Sequence, residues 1–224
     1  MPALIYFDYE TGGLDPLDGA EPIELAALAL DADTLAEVGR FPARLMRVAR
    51  PENLDAKALE VNGKTAEQVM AGEDPAAVHE EFARWAADFI PAEDRAKERR
   101  FRRRPLLAGH NVKFDIAFLK WAFRRYVAGG MKTYDETFDY HDVCTFNIAY
   151  FKKVLVEKTV ARDGKPLKGA LVPLASYYGI PHRAHEAMGD VEAGAELLRR
   201  LRQELSAERA AFAAAGGALA AAGE

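Results

Sequence analysis

The 224-residue sequence predicts an α/β fold, a mixed sheet covered by helices, from three observations. Strand-like segments come first, at 3–8, 22–31 and about 35–46. Helical periodicity takes over after Pro51. Short β-like runs then alternate with helical ones, an order that favours a mixed sheet with helices packed on it.

In "LIYFDYETGG" (4–13), which holds most of the first strand, four apolar residues run straight into Asp8 and Glu10. The second is "PIELAALALD" (22–31), and the third follows the Asp31–Thr34 turn. "PENLDAKALE" and "TAEQVMAG" read as short capped helices, and Val78, Phe82, Trp85 and Phe89 mark an amphipathic helix over 75–90. "RPLLAGHN" (104–111) reads as a short buried strand ending at Asn111, a helix N-cap. Residues 112–127 are apolar nearly all round, which implies a buried helix. Phe138–His141 reads as a short edge strand, followed by a helix to about Lys152. Asp163-Gly164 between β-leaning flanks predicts a protruding hairpin over 154–170. A short helix at 171–178 and a long one near 186–205 complete the domain, 1–205. The alanine-rich tail, 206–224, continues as helix only as far as Gly216-Gly217, which should break it.

Half the residues are hydrophobic and 29% charged, which suits a soluble core. No stretch approaches the ~20 apolar residues of a membrane span, and the N-terminus lacks the basic region of a signal peptide. The one cysteine, Cys144, forms neither an internal disulfide nor a Cys-based zinc site. These features favour a reducing cytoplasm. A net charge of −5 argues against a broad basic surface for duplex nucleic acid, but leaves room for an enzyme that holds a short strand at one site. Residues 93–104, "EDRAKERRFRRR", carry seven basic and three acidic residues. They read either as a solvated helical face or loop, or as an electrostatic guide for phosphates.

The chemistry lies in carboxylates at apolar element boundaries. Asp8 and Glu10 point to one side of their strand with Cα atoms roughly 6.5–7 Å apart. Two charges at that distance repel by about 2–2.5 kcal/mol at an effective dielectric near 20. One takes up a proton, both face water, or a cation sits between them. Asp115, four residues after Asn111, shares a helix face with Phe118, Leu119 and Ala122, where a carboxylate is costly without a partner. His185 and Asp190 reach one site if His185 lies on the loop before the last helix and Asp190 in its first turns.

Together these segments resemble the DEDDh family of 3′→5′ exonucleases. "FDYETGGLDP" is similar to its first motif and supplies Asp8 and Glu10; "GHNVKFD" is similar to the second and supplies Asp115. "AHEAMGD" is similar to the third and supplies His185 and Asp190, with the four-residue gap of the histidine subclass. "PIELAAL" and "ALEVNGKTAEQV" also resemble family segments, and the likeness covers about residues 3–202. Gly12 stands where the family often has a second threonine, which leaves its backbone N–H for a terminal sugar. The 93–104 and 154–170 segments look like insertions.

The resemblance implies a ribonuclease H-like fold: a mixed five-stranded sheet with helices on both faces. It further implies two Mg²⁺ or Mn²⁺ ions, Asp8 bridging both, Glu10 and Asp190 completing one site and Asp115 holding the second. His185 is then the general base. Thr11, Gly12, Gly13, Leu14, Asn111 and Phe114 bind the 3′-terminal nucleotide, and the product is a nucleoside 5′-monophosphate. The implied partner is a single-stranded 3′ end of DNA or RNA, with a polymerase or a second copy of the chain as further partners and no membrane. Two other readings stay open: a non-catalytic 3′-end-binding or polymerase-associated module, and a phosphoesterase for small molecules.

Overall fold

The computed structural model describes residues 3–161 and 163–221, with side chains through residue 214. Strands β1 (Leu4–Thr11), β2 (Pro22–Leu30), β3 (Glu37–Leu45), β4 (Leu106–Gly109) and β5 (Asp142–Cys144) form one sheet in the order β3-β2-β1-β4-β5. The first three are antiparallel; β4 and β5 join parallel to β1. This is the mixed five-stranded α/β architecture that the sequence predicts.

Local chemistry starts the first three helices. Asp55 caps α1 (Ala56–Val61), a Thr65–Gln68 capping box opens α2 (Ala66–Met70), and Asp74 with Pro75 begins α3 (Pro75–Ala87). There follow α4 (Lys113–Tyr126), α5 (Met131–Thr137), α6 (Thr145–Ala149), α7 (Leu171–Tyr178) and α8 (Ala187–Ala221). Gly179, at φ +66°, ends α7 in the left-handed conformation that glycine adopts freely.

The period of two in β1 divides the molecule. Ile5, Phe7 and Tyr9 face one layer, where α3, α4 and α5 supply Val78, Phe82, Phe118, Phe123 and Tyr134. Leu4 and Tyr6 face the other, where α8 supplies Ala187, Val191, Ala195 and Leu198. Asp8 and Glu10 share the parity of Leu4 and Tyr6 and so belong to the α8 face. A buried post backs the opposite face: the Tyr9 hydroxyl lies 2.8 Å from His79 Nε2, while His79 Nδ1 lies 2.6 Å from the Pro75 carbonyl. Burial pushes the His79 ring down to about 4, so it is neutral, with Nδ1–H donating to the carbonyl and Nε2 accepting from the tyrosine.

Several boundaries differ from those predicted. Asn111 does not cap α4; it sits at φ +63° in the turn and Val112 takes the cap position, without a side-chain bond. The helix over 113–126 is two-sided rather than apolar all round, because Lys113, Ala117, Arg124 and Arg125 are exposed. The edge strand is Asp142–Cys144 instead of 138–141: Phe138 is drawn into the core after α5, an element the sequence did not announce. Past α6 the chain continues as a π-helix over Tyr150–Val156, fixed by buried Lys152 and Lys153 paired with Glu157 and Glu204. The hairpin therefore shrinks to a single antiparallel bridge, Val160 to Pro166, around Gly164; Arg162 lies outside the described residues. Helix α8 runs on through Gly216-Gly217 to Ala221, with no break at residue 205; residues 222–224 of the tail lie outside the described residues.

The basic segment forms two 3₁₀ turns, Ala92–Asp94 and Arg99–Phe101, rather than a helical face. The buried Asp94 carboxylate gathers Lys97 and Arg103, and Arg104 is buried against the Asp135 carbonyl. Much of the positive charge is thus structural, while Arg99 and Arg100 stay exposed.

Gly194 brings α8 close against the sheet: a Cβ there would fall 2.6 Å from Tyr6 Cζ. Alanine ordinarily favours a helix over glycine by up to ~1 kcal/mol. Gly194→Ala should instead destabilise by about 1–3 kcal/mol in chemical denaturation, because Tyr6 is fully packed. Unchanged or raised stability would contradict this packing.

Candidate active site

Asp8 and Glu10 lie at the C-terminal end of β1, where the sheet parts. β4 pairs with β1 only from Leu4 to Tyr6, so the Tyr9 N–H finds no strand partner. It donates instead to Asp115 Oδ1 at 3.0 Å, which pins the first turn of α4 to β1 between the two acids. Asp190 sits in the first turn of α8, on the face that covers Tyr6. His185 lies on the loop before it, at φ +65°, and its backbone N–H donates to Asp190 Oδ2 at 3.2 Å.

Among the described residues, the ligand atoms of Glu10, His185 and Asp190 all lie within 4.8 Å of one another. Asp8 and Asp115 fall outside that triad but within its electrostatic reach. Burial raises the Asp8 carboxyl well above the ordinary carboxylate range, and Asp115, Glu10, Asp190 and Glu24 raise it further. Glu10 is pushed up to about 8, first by burial and then by Asp190, with Lys64 opposing. Asp115 rises to about 7 through burial, against the stabilising Tyr9 N–H, with Asp190 adding to the rise. The sequence left three outcomes open for Asp8 and Glu10, and burial removes the one in which both face water. The remaining two, protonation and a cation, compete for the same oxygens. Hard oxygen donors with one imidazole and no thiolate fit Mg²⁺ or Mn²⁺.

Three further residues belong to this centre and were not among the predicted site residues, although Glu24 and Lys64 lie in the "PIELAAL" and "ALEVNGKTAEQV" segments. Glu24 stands directly opposite Glu10 across the β1–β2 pair, where like charges repel. Lys64 answers it: Nζ lies 3.1 Å from Glu24 Oε2, which also accepts the Ala187 N–H at 3.2 Å. Glu24 was visible only as a lone charge between Ile23 and Leu25 in a buried strand. His182 is the third, its Nε2 hydrogen-bonded to Asp190 Oδ1.

Two clefts flank the acids and share Val61 and Asn62. One, of about 270 Å³, is lined by Thr11, Gly13, Leu14, Asp55, Lys57 and Ala58 as well. The other, of about 430 Å³, adds Lys64, Gln68 and His185. Leu14 is 85% exposed at the mouth of the first. The predicted substrate residues thus divide. Thr11, Gly13 and Leu14 line the cleft. Asn111 and Phe114 do not, and Phe114 packs on Phe118 with ring centroids 5.1 Å apart. Gly12 has no N–H to offer a sugar, because it donates to the Glu21 carbonyl at 2.8 Å. Its place is steric: a Cβ would meet Leu54 at 2.8 Å.

The raised carboxyls carry a signed pH dependence. A folded pKa above the unfolded value near 4 stabilises fully below pH 4, and that stability is lost as pH rises toward 8. In chelator, wild-type stability relative to Glu10→Gln should therefore fall between pH 5 and pH 8, and divalent cation should restore it most at pH 8. A difference that stays flat or rises with pH would contradict the buried, repelling arrangement.

A family model described as Exonuclease (RNase_T) matches residues 5–198. Comparison with curated protein sequences gives no match. Among solved structures, Escherichia coli Exonuclease I in complex with a dT13 oligonucleotide superposes with a TM-score of 0.68 at 22% identity, covering 90% of this chain and 41% of that one. Exonuclease I from Methylocaldum szegediense gives 0.65 at 21% identity, covering 91% and 41%. A product-bound exonuclease I gives 0.65 at 22%, covering 93% and 47%. The chain spans less than half the length of these structures, and at such identities the likeness speaks to the fold. With the family model spanning both sheet faces and every acidic motif, the chain belongs to the DEDDh family of 3′→5′ exonucleases.

Proposed function

We propose that this chain removes nucleoside 5′-monophosphates one at a time from single-stranded 3′ ends, with Asp8, Glu10, Asp115 and Asp190 holding two Mg²⁺ or Mn²⁺ ions. The observation that carries the reading is the convergence of four mutually repelling carboxylates and His185 beside an open cleft. DNA is the favoured strand, since Exonuclease I relatives are seen with dT13 and dA16 oligonucleotides.

In this reading the 3′-terminal nucleoside enters the 270 Å³ cleft, against the backbone at Gly13 and the exposed side chain of Leu14. An apolar wall there tolerates any base. The chemistry supplied when divalent cations are bound is neutralisation of phosphate charge and acidification of water. His185 accepts the proton of the attacking water, a role suited to an imidazole on an exposed loop. The water oxygen bonds to phosphorus, the P–O3′ bond breaks, and the departing 3′ oxygen takes up a proton. Asp115, tethered to the Tyr9 N–H, keeps its carboxylate beside Asp8 through the cycle. The intact histidine disfavours a purely binding module, which would not need it. A phosphoesterase for small molecules would be indifferent to strand length.

The experiment is digestion of labelled single strands of DNA and RNA, and of a duplex with a 3′ mismatch, in Mg²⁺ with and without EDTA. Single-stranded DNA should yield 5′-monophosphates, and EDTA should stop the reaction. His185→Ala should lower turnover at least ~10²-fold with folding intact, and Asp8→Ala should abolish metal-dependent cleavage. Near-wild-type rates in either variant would contradict the assigned roles.

A further inference from the structure

Resting on the reading of Asp190 as a metal ligand, we propose that His182 is a positioning residue that holds Asp190, and through it His185, in the geometry the metal centre requires. His182 lies in the loop between α7 and α8, with its side chain only 8% exposed. Its Nε2 bonds Asp190 Oδ1, while Asp190 Oδ2 accepts the backbone N–H of His185 at 3.2 Å. One short loop therefore grips both oxygens of one carboxylate from two sides.

The grip acts in both directions. Toward the helix, it removes the rotation that a carboxylate in a first turn would otherwise have. Toward the loop, it ties down His185, whose φ of +65° is uncommon for a residue with a Cβ. In that conformation the imidazole comes within 4.8 Å of the ligand atoms of Glu10 and Asp190. The loop also crosses α8 closely, since a Cβ at Gly189 would fall 3.0 Å from the Arg183 Cβ.

His182 acts from behind the centre. Among the described residues it is absent from the side chains whose ligand atoms gather there, and it touches the site through Asp190. A hydrogen bond from an outer imidazole to a ligating carboxylate orients that ligand. Loss of such a partner typically weakens metal affinity 10–100-fold.

The test is calorimetric titration of the full chain with Mn²⁺ alone, alongside melting in chelator. His182→Ala should weaken Mn²⁺ binding at least ~10-fold, and His182→Gln, whose amide N–H reaches the Nε2 position, should recover affinity to within about threefold. Wild-type affinity in His182→Ala overturns the proposal. So does equal weakening in both variants, which would mark a packing role, with a matching drop in chelator melting temperature. Asp190→Ala separates the two levels of inference. If it leaves Mn²⁺ affinity unchanged, the metal reading of Asp190 fails along with the proposal. If it weakens binding while His182→Ala does not, the proposal alone fails.

Discussion

The site is organised around buried and half-buried carboxylates kept close together where little water screens them. Asp8, Glu10 and Asp115 all titrate above the ordinary carboxylate range, and each is raised first by burial. Such a cluster is unfavourable on its own. The fold maintains it because each acid is anchored by structure that has other reasons to form. Two are on the central strand of the sheet, one is tied to the Tyr9 N–H freed where β4 leaves β1, and one is in the turn of α8 that packs on Tyr6. Carboxylates arranged in this way favour protons or divalent cations, and the Exonuclease family is one whose chemistry needs the cations.

Compensation around the centre follows the same logic. Glu24 adds a further negative charge opposite Glu10, and Lys64 is the cation that answers it. The Glu24 carboxylate also takes the Ala187 N–H at the start of α8, so one side chain joins β2, the loop after α1 and the helix that carries Asp190. His182 does the equivalent on the far side of Asp190. The centre is thus gripped from two directions by residues outside the three acidic motifs.

The sheet was legible, and the five motif residues stood out, because both rest on local signals. An apolar run ending in Asp8 and Glu10, the near-continuous apolar run at 22–30, and the capped starts at Asp55 and Thr65 each report their own segment. What the sequence hid depends on distant partners. Phe138 looked like strand but is claimed by the aromatic core with Phe82 and Phe123, which moves the edge strand to 142–144. Asn111 looked like a cap but is needed at positive φ to turn the chain. The helix was expected to end near Lys152, yet Lys152 and Lys153 are buried in pairs with Glu157 and Glu204 and the chain continues over 150–156 as a π-helix. At the site, Gly12 lost its expected contact because its N–H was already committed to Glu21, and Phe114 turned toward Phe118. Glu24, Lys64 and His182 escaped notice because their meaning lies in the residue each one faces.

The most direct measurement is a count of protons during cation binding. Mg²⁺ would be titrated calorimetrically into the metal-free chain at pH 7, in two buffers of different ionisation enthalpy. Carboxyls held near 7 and 8 are partly or mostly protonated at that pH, so binding should expel roughly one proton or more per chain. Binding without proton release, or no binding at all, would contradict a centre built from buried, mutually repelling carboxylates.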